Sequence, residues 1–397
     1  MKPSISRRGL MAAAPAALNS LRAAQADRIR IGIIGAGGRG QALMKDIEAC
    51  RDLNVAVTGV CDIYRPNREK AADMARKAWG AAPRATVSYE EMLSWQDVDA
   101  VIIATPDFGH SRILKAAVEA GKDAYCEKPM GTDFAEAKAA WQAVKQTGRV
   151  VQIGTQRRSD GKYIAMSKLV RAGKLGKVTR VETCVNFQEP RWRRDHSSVR
   201  IEDVAWEQFL MHAPKRGFDP RRLREWQLFR DYTNGIPGLW MSHFIDLVPW
   251  FLGDPFPAGA VANGGVYLWR DGRQTSDVFC ALLDYPSGVL VTFAMSLTNS
   301  AGNRNHWFGT LGTLDMDSFT MDGSGSGMKD RIPAKLSVQP EEVNSHMANF
   351  IECLRSRQKP RADIDAGFQH AVAGCMAARA LEEGRRVRFD PQRIELL

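Results

Sequence analysis

The residues with the plainest chemical purpose are glycines. Gly35, Gly37 and Gly40 stand at G-x-G-x-x-G spacing in RIGIIGAGGRG, residues 30–40, with Gly38 and Arg39 inside the motif. Such a run turns a strand tightly into a helix, and its bare backbone lets a pyrophosphate approach the N–H groups at the helix start. Glycines also mark ordinary turns, so context decides. Ile31, Ile33 and Ile34 supply an apolar run before the motif, and a helical pattern follows it. Asp62 ends the next apolar run, 22 residues beyond Gly40, where a carboxylate reaches the hydroxyls of an adenosine ribose. The chemistry implied is dinucleotide binding. Asp62 repels a 2′-phosphate, which favours NAD over NADP; Arg65 is the residue that could stack on adenine or take that phosphate.

Two more runs end in polar residues: Thr105-Pro106-Asp107 with His110, and Glu127-Lys128-Pro129. For these groups to meet, strands and helices must alternate. Strands are expected over 29–34, 54–61, 100–104, 124–127 and 150–153, with helices over 41–51, 67–79, 89–95, 110–120 and 134–147. Gly121 and Gly148 stand where helix C-caps belong. This order makes a parallel sheet with helices on both faces, and its ligands bind beyond the carboxyl ends of the strands. The three polar ends should therefore share one crevice.

After residue 155 the pattern changes. A helix over 162–172 and a long strand over 178–187 lead into an irregular stretch, 190–235, rich in Arg and Trp. Trp192, Trp206 and Trp226 could stack on sugar C–H faces while arginines donate to hydroxyls; a solvated or subunit-facing insertion fits the composition equally well. A helix over 238–252 follows, then a β-rich region over 260–316, then helices over 341–355 and 364–383 that should pack across the domain boundary. The fold class is α/β: a doubly wound parallel sheet in a Rossmann-type domain, 27–155, and an α+β domain, 156–397, with an open, mostly antiparallel sheet.

Residues 1–26 read differently. Ser6-Arg7-Arg8-Gly9-Leu10-Met11 opens a short Ala-rich stretch, and Ala24-Gln25-Ala26 offers small residues at A-x-A spacing. The pattern is that of a twin-arginine export signal, which places the mature protein in the periplasm or otherwise outside the cytoplasm. Loss of that segment removes four basic residues and no acid, leaving 51 basic against 45 acidic residues, a net +6 in place of +10. A balance so mild and dispersed gives no footprint for nucleic acid. No run nears the roughly 18 apolar residues of a membrane span. Seven cysteines without a C-x-x-C pair are expected to be buried thiols, neither a disulfide framework nor a metal site.

GIIGAGGRG, ATPDFGH, CEKPM, IGTQRR and GLWMSHFID occur in an order that resembles the Gfo/Idh/MocA oxidoreductases, a family that includes glucose–fructose oxidoreductase and inositol dehydrogenase. The likeness runs from about Arg30 to the C-terminus. It implies oxidation or reduction of a secondary hydroxyl of a sugar, polyol or glycoside with NAD(P). By this likeness Lys128 contacts the reacting hydroxyl and the cofactor beside Glu127, and the Lys128–Pro129 bond is cis. Thr105, Pro106 and His110 match a loop along the nicotinamide ribose, and Gln156, with Arg157 beside it, matches a cofactor or substrate contact. His243 and Asp246 match the substrate-domain pair, at i and i+3 on one helix face; a neutral imidazole there could take the hydroxyl proton. Many relatives carry an aspartate four residues before this histidine, where this chain has Leu239. Asp246 as a substitute, or Tyr232 as an added donor, would restore the relay.

An exported dehydrogenase has little free NAD to draw on, so the cofactor should be held and regenerated in place. Transfer between two sugars would do this. So would a redox-neutral glycosidase that oxidises, eliminates and re-reduces. The altered relay also admits a non-catalytic NAD- or sugar-binding protein. A homodimer or tetramer through the open sheet is expected.

Overall fold

The structure, a computed structural model, describes residues 27–397; the expected export signal lies outside them. The first domain alternates β1 (Ile29–Ile34), α1 (Gly38–Glu48), β2 (Val55–Cys61), α2 (Arg65–Trp79), β3 (Arg84–Thr86), α3 (Tyr89–Leu93), β4 (Ala100–Ile103), α4 (His110–Glu119), β5 (Asp123–Cys126), α5 (Phe134–Thr147) and β6 (Val151–Ile153). All six strands are parallel, in the order β3-β2-β1-β4-β5-β6. Order reverses between β1 and β4, which opens a crevice at their carboxyl ends. β3, three residues with two exposed, was not anticipated, because nothing so short and polar carries a strand period.

The central strands bury both faces, as near-continuous apolar runs must. Ile31 and Ile33 pack on Leu43, Met44 and Ile47 of α1; Ile34, Val101 and Ile103 pack on the other side with Ile113 and Leu114 of α4.

The second domain begins with α6 (Gly161–Arg171) and β7 (Val178–Asn186). The 190–235 stretch holds two five-residue helices, α7 (Trp206–Leu210) and α8 (Pro220–Arg224). The helix expected over 238–252 is instead three pieces: a π-turn at Pro237–Met241, α9 (Ser242–Ile245) and α10 (Leu247–Leu252). Then come β8 (Gly259–Gly265), β9 (Val278–Tyr285), β10 (Val289–Ser296), β11 (Arg304–Gly309), β12 (Gly312–Asp315), β13 (Thr320–Asp322), β14 (Leu336–Ser337), α11 (His346–Ser356), α12 (Ile364–Glu383), β15 (Val387–Asp390) and β16 (Glu395–Leu396). With β7 they form one sheet, β14-β13-β12-β11-β7-β10-β9-β8-β15-β16, antiparallel except where β7 meets β10.

Strict alternation sets the two faces of this sheet. Phe279, Leu283, Val291, Phe293 and Trp307 face the core, whereas Val261, Leu282 and Leu290 are exposed. α11 sends Met347, Phe350 and Ile351 back into the β1 core of the first domain. α12 lies so close to β6 that a Cβ at Gly367 would sit 2.6 Å from Ile153. The last two helices thus tie the domains together. All seven cysteines are free thiols, and five are buried; Cys280 is exposed and Cys184 half-buried, because both fall on the open face of the sheet.

Candidate active site

The strand ends of the first domain open into a cleft of about 940 Å³ that is also lined by residues of the 190–235 stretch and by Leu239 and His243. Gly35, Gly37, Gly38, Arg39, Asp62, Thr105, Pro106, His110, Glu127, Lys128, Gln156 and His243 all line it. Segments far apart in sequence therefore meet in one place.

The glycine loop follows the geometry its spacing requires. Gly35 has φ +88°, and a Cβ there would lie 2.7 Å from the backbone of Ala104 and Thr105. A Cβ on Gly40 would meet the Gly35 carbonyl oxygen at 2.1 Å, so strand and helix could not pack this closely with any side chain. α1 has Gly37 as N-cap, no side-chain cap and no acidic residue in its first turn. Its first N–H groups therefore face the cleft as an anion site. The residues fit the pyrophosphate of a dinucleotide.

Asp62 is buried, accepting from the N–H of Ala36 (2.7 Å) and of Tyr64 (2.8 Å) on different oxygens. Asn67 Nδ2 reaches the Ala36-bonded oxygen at 3.5 Å, and the other oxygen keeps a lone pair for a ribose hydroxyl. Burial pushes its pKa up to about 6, against the pull of those two N–H groups. Glu127, buried at the end of β5, takes the Arg39 guanidinium at 2.7 Å and pins the glycine loop across the crevice. His110 sits between two carbonyl oxygens, with Nδ1 2.7 Å from Pro129 and Nε2 2.8 Å from Thr105. It braces the β4 and β5 ends against each other.

Lys128 projects from the β5 end, followed by a cis bond to Pro129. Its Nζ donates to the Leu239 carbonyl oxygen at 2.8 Å. Burial lowers its pKa, and the carboxylates of Asp107 and Glu127 oppose that shift. Asp107 accepts from Thr233 Oγ1 at 2.8 Å and is raised by burial, against the pull of His110 and Lys128. The π-turn stands against the same loop: a Cβ on Gly238 would lie 3.2 Å from Pro129 and 3.4 Å from Asp107 Oδ2. The second domain thus offers Lys128 a main-chain carbonyl, and the carboxylates beside the ammonium come from the first domain. Asp107 enters the crevice as expected of the polar end Thr105-Pro106-Asp107, although the sequence assigned it no individual role. Its place at a strand end was the available signal; nothing in the sequence marks the Leu239 carbonyl.

His243 is held well below the ordinary histidine pKa, first by burial and then by the nearby Lys128 and Arg157 charges. It is a neutral base beside an ammonium. The other residues expected at the site are elsewhere. Asp246, 1% exposed, does not line the cleft: Arg158 grips both its oxygens at 3.1 and 2.9 Å, and His370 Nδ1 lies 3.9 Å away. Three residues of helix turn 300°, so Asp246 lies about 60° round from His243 and faces the core. His370, lowered to about 4 by burial, accepts the Met130 N–H at 3.1 Å and so links this buried pair to the Lys128–Pro129 turn. Arg157 also stands behind the site, donating to the His243 carbonyl oxygen at 2.9 Å with its guanidinium 4.3 Å from the Phe244 ring centre. Tyr232 is fully buried against Phe108 and Phe209, outside the cleft wall. Asp246, Arg157 and Tyr232 support the site from outside it.

A six-stranded doubly wound sheet, a glycine cradle and an acidic ribose ligand define a nicotinamide-nucleotide oxidoreductase domain. Two family profiles match: the NAD-binding Rossmann fold of the oxidoreductase family over residues 29–155, and its C-terminal alpha/beta domain over residues 208–389. The chain belongs to the Gfo/Idh/MocA oxidoreductase family.

Over 383 residues the chain is 26% identical to scyllo-inositol 2-dehydrogenase (NAD(+)) of Bacillus subtilis, covering 92% of this chain and 98% of that one. It is 33% identical over 178 residues to inositol 2-dehydrogenase 3 of Saccharopolyspora erythraea, where the match spans 45% of this chain and 50% of the relative. Its fold is that of the WlbA dehydrogenase from Bordetella pertussis, solved with NADH and UDP-GlcNAcA, at TM-score 0.68, 20% identity and coverage of 91% and 99%. The aldose-aldose oxidoreductase from Caulobacter crescentus superposes with TM-score 0.68 at 19% identity, covering 91% of this chain and all of that one.

Proposed function

We propose that the protein oxidises or reduces a secondary hydroxyl of a sugar, polyol or glycoside and keeps its NAD through turnover. The observation that carries this reading is Lys128: a half-buried ammonium at the carboxyl edge of the sheet, fixed by the Leu239 carbonyl and set beside the neutral His243. Bound NAD supplies the hydride acceptor, and its reduced form the donor. His243 takes the hydroxyl proton as the carbon–hydrogen bond breaks, which its lowered pKa permits. Lys128 stabilises the developing alkoxide and polarises the carbonyl in the reverse direction. Asp107 and Glu127 balance the local positive charge, so the site holds its ammonium without a counter-ion from solvent. The inositol dehydrogenase relatives support a polyol or carbohydrate substrate.

Asp62 favours NAD, and Arg65 is engaged in an ion pair with Asp203. We further read the chain as exported on its twin-arginine segment and as a homo-oligomer joined through the open face of the ten-stranded sheet. Changing Arg7 and Arg8 together to Lys should hold the precursor in the cytoplasm.

Purified protein, denatured and examined by mass spectrometry, should release a nicotinamide dinucleotide in near-stoichiometric amount. The bound cofactor should change redox state when sugars, polyols or glycosides are added. A cofactor that stays unchanged across such a panel would favour a non-catalytic binding role instead.

A further inference from the structure

The 190–235 stretch is too long to be a mere connection, and its first helix has a definite seat. Val204 forms an antiparallel bridge with Tyr64, two residues beyond Asp62. Ala205 N–H donates to the Ile63 carbonyl oxygen at 2.8 Å, and Arg65 pairs with Asp203. Three consecutive residues of the second domain are thus fastened to the three residues that follow the ribose carboxylate. Behind them, Phe209 of α7 stacks on Trp206 (5.0 Å) and meets Phe108 (6.3 Å) and Tyr232 (5.1 Å). The side chains left over, Glu207, Gln208 and Met211, line the same cleft as Asp62 and Tyr64.

The structure assigns residues 203–212 to the cofactor site: they are a clasp that closes the adenosine half of the dinucleotide cleft, and NAD exchanges only when the clasp unfastens. The ribose end of the cleft lies at the carboxyl end of β2, one strand in from the sheet edge, and residues 203–212 lie against it from the second domain. Here the bridge, its neighbouring hydrogen bond and the aromatic cluster must all come apart together, which is a local unfolding event and therefore infrequent. The half-exposed Arg65–Asp203 pair is the weakest of the fastenings. This inference needs only the dinucleotide site and holds whatever substrate is oxidised.

The bridge supplies its own test. Tyr64 and Val204 face each other as a non-hydrogen-bonded antiparallel pair, whose Cα atoms lie about 4.5 Å apart, within reach of a disulfide. The variant carrying Tyr64→Cys and Val204→Cys is loaded with NAD and divided into oxidised and reduced halves, with the cross-link confirmed by mass. Exchange of bound NAD for labelled NAD, measured without substrate, should be at least a hundredfold slower in the oxidised half and recover on reduction. Equal exchange in the two halves overturns the clasp. Should the cross-link fail to form, Arg65→Ala and Asp203→Ala should each speed exchange several-fold, with no further gain when combined; unchanged exchange in all three overturns it equally. Turnover by the oxidised half is a separate readout. Trapped NAD that still cycles supports internal regeneration, and trapped NAD that stops after one reduction counts against that part of the function without touching the clasp.

Discussion

The two sides of the cleft are built in opposite ways. On the cofactor side, the glycine cradle and Asp62 belong to one strand–helix–strand unit, and the loop is shaped by steric demands that glycine alone meets. On the reacting side, Lys128, Leu239 and His243 come from different domains, and the bond between Lys128 and Leu239 spans 111 residues of chain. The first side tolerates little change in residue type but needs little from the rest of the molecule. The second side depends on how two domains dock. Its precision therefore rests on groups outside the cleft: the buried Arg158, Asp246 and His370, and the half-buried Arg157.

That contrast can be broken most directly at Lys128. Lys128→Ala should lower kcat by about a thousandfold or more, the scale of losing an electrostatic stabiliser of the transition state, with NAD binding and the melting temperature nearly unchanged. Activity within tenfold of the parent would remove the reacting side from the argument. His243→Gln should cost about 10² to 10⁴ in kcat. Because burial and the Lys128 charge keep His243 neutral, kcat/KM should show no loss from histidine protonation as pH falls from 8 to 6. A steep fall in that interval would mean that His243 titrates normally and is not the enclosed base described here.

Asp246→Asn sharpens the comparison by testing a support. Breaking a buried ion pair from one side costs about 3–5 kcal/mol, so thermal unfolding should come markedly earlier while kcat per folded molecule changes only a few-fold. A large fall in kcat with unchanged stability would return Asp246 to the catalytic group.

The smallest effect belongs to Asp62. Its folded pKa is raised to about 6, above the unfolded value of about 3.9. On this group's account the free protein thus loses stability as pH rises between those values, because the folded state holds the proton more tightly. For binding, a fall in pH through 6 neutralises the carboxylate, weakening NAD binding and relieving the repulsion of a 2′-phosphate. The ratio of Kd for NADP to Kd for NAD should shrink several-fold between pH 7.5 and 5.5 by calorimetric titration. A constant ratio would show that something other than the Asp62 charge selects the cofactor.

Much of this was legible in the chain itself. The strand Ile29–Ile34 and the helices Phe134–Thr147 and Ile364–Glu383 fall where their residue patterns put them, since apolar period and capping residues act over a few neighbours. The glycine spacing and Asp62 were equally readable, because a cradle for phosphate is a local backbone shape. Tertiary structure alone decided the rest. It broke the expected helix over 238–252 at a π-turn, which set the Leu239 carbonyl against Lys128. It turned Asp246 inward to Arg158, and it folded residues 203–212 back onto the segment that follows the carboxyl end of β2. A hydrogen bond between groups a hundred residues apart leaves no spacing to read, and a main-chain carbonyl has no residue type to betray it. Local patterns fixed which groups could meet a dinucleotide; the docking of two domains determined which of the remaining polar groups face the reacting carbon and which hold them there.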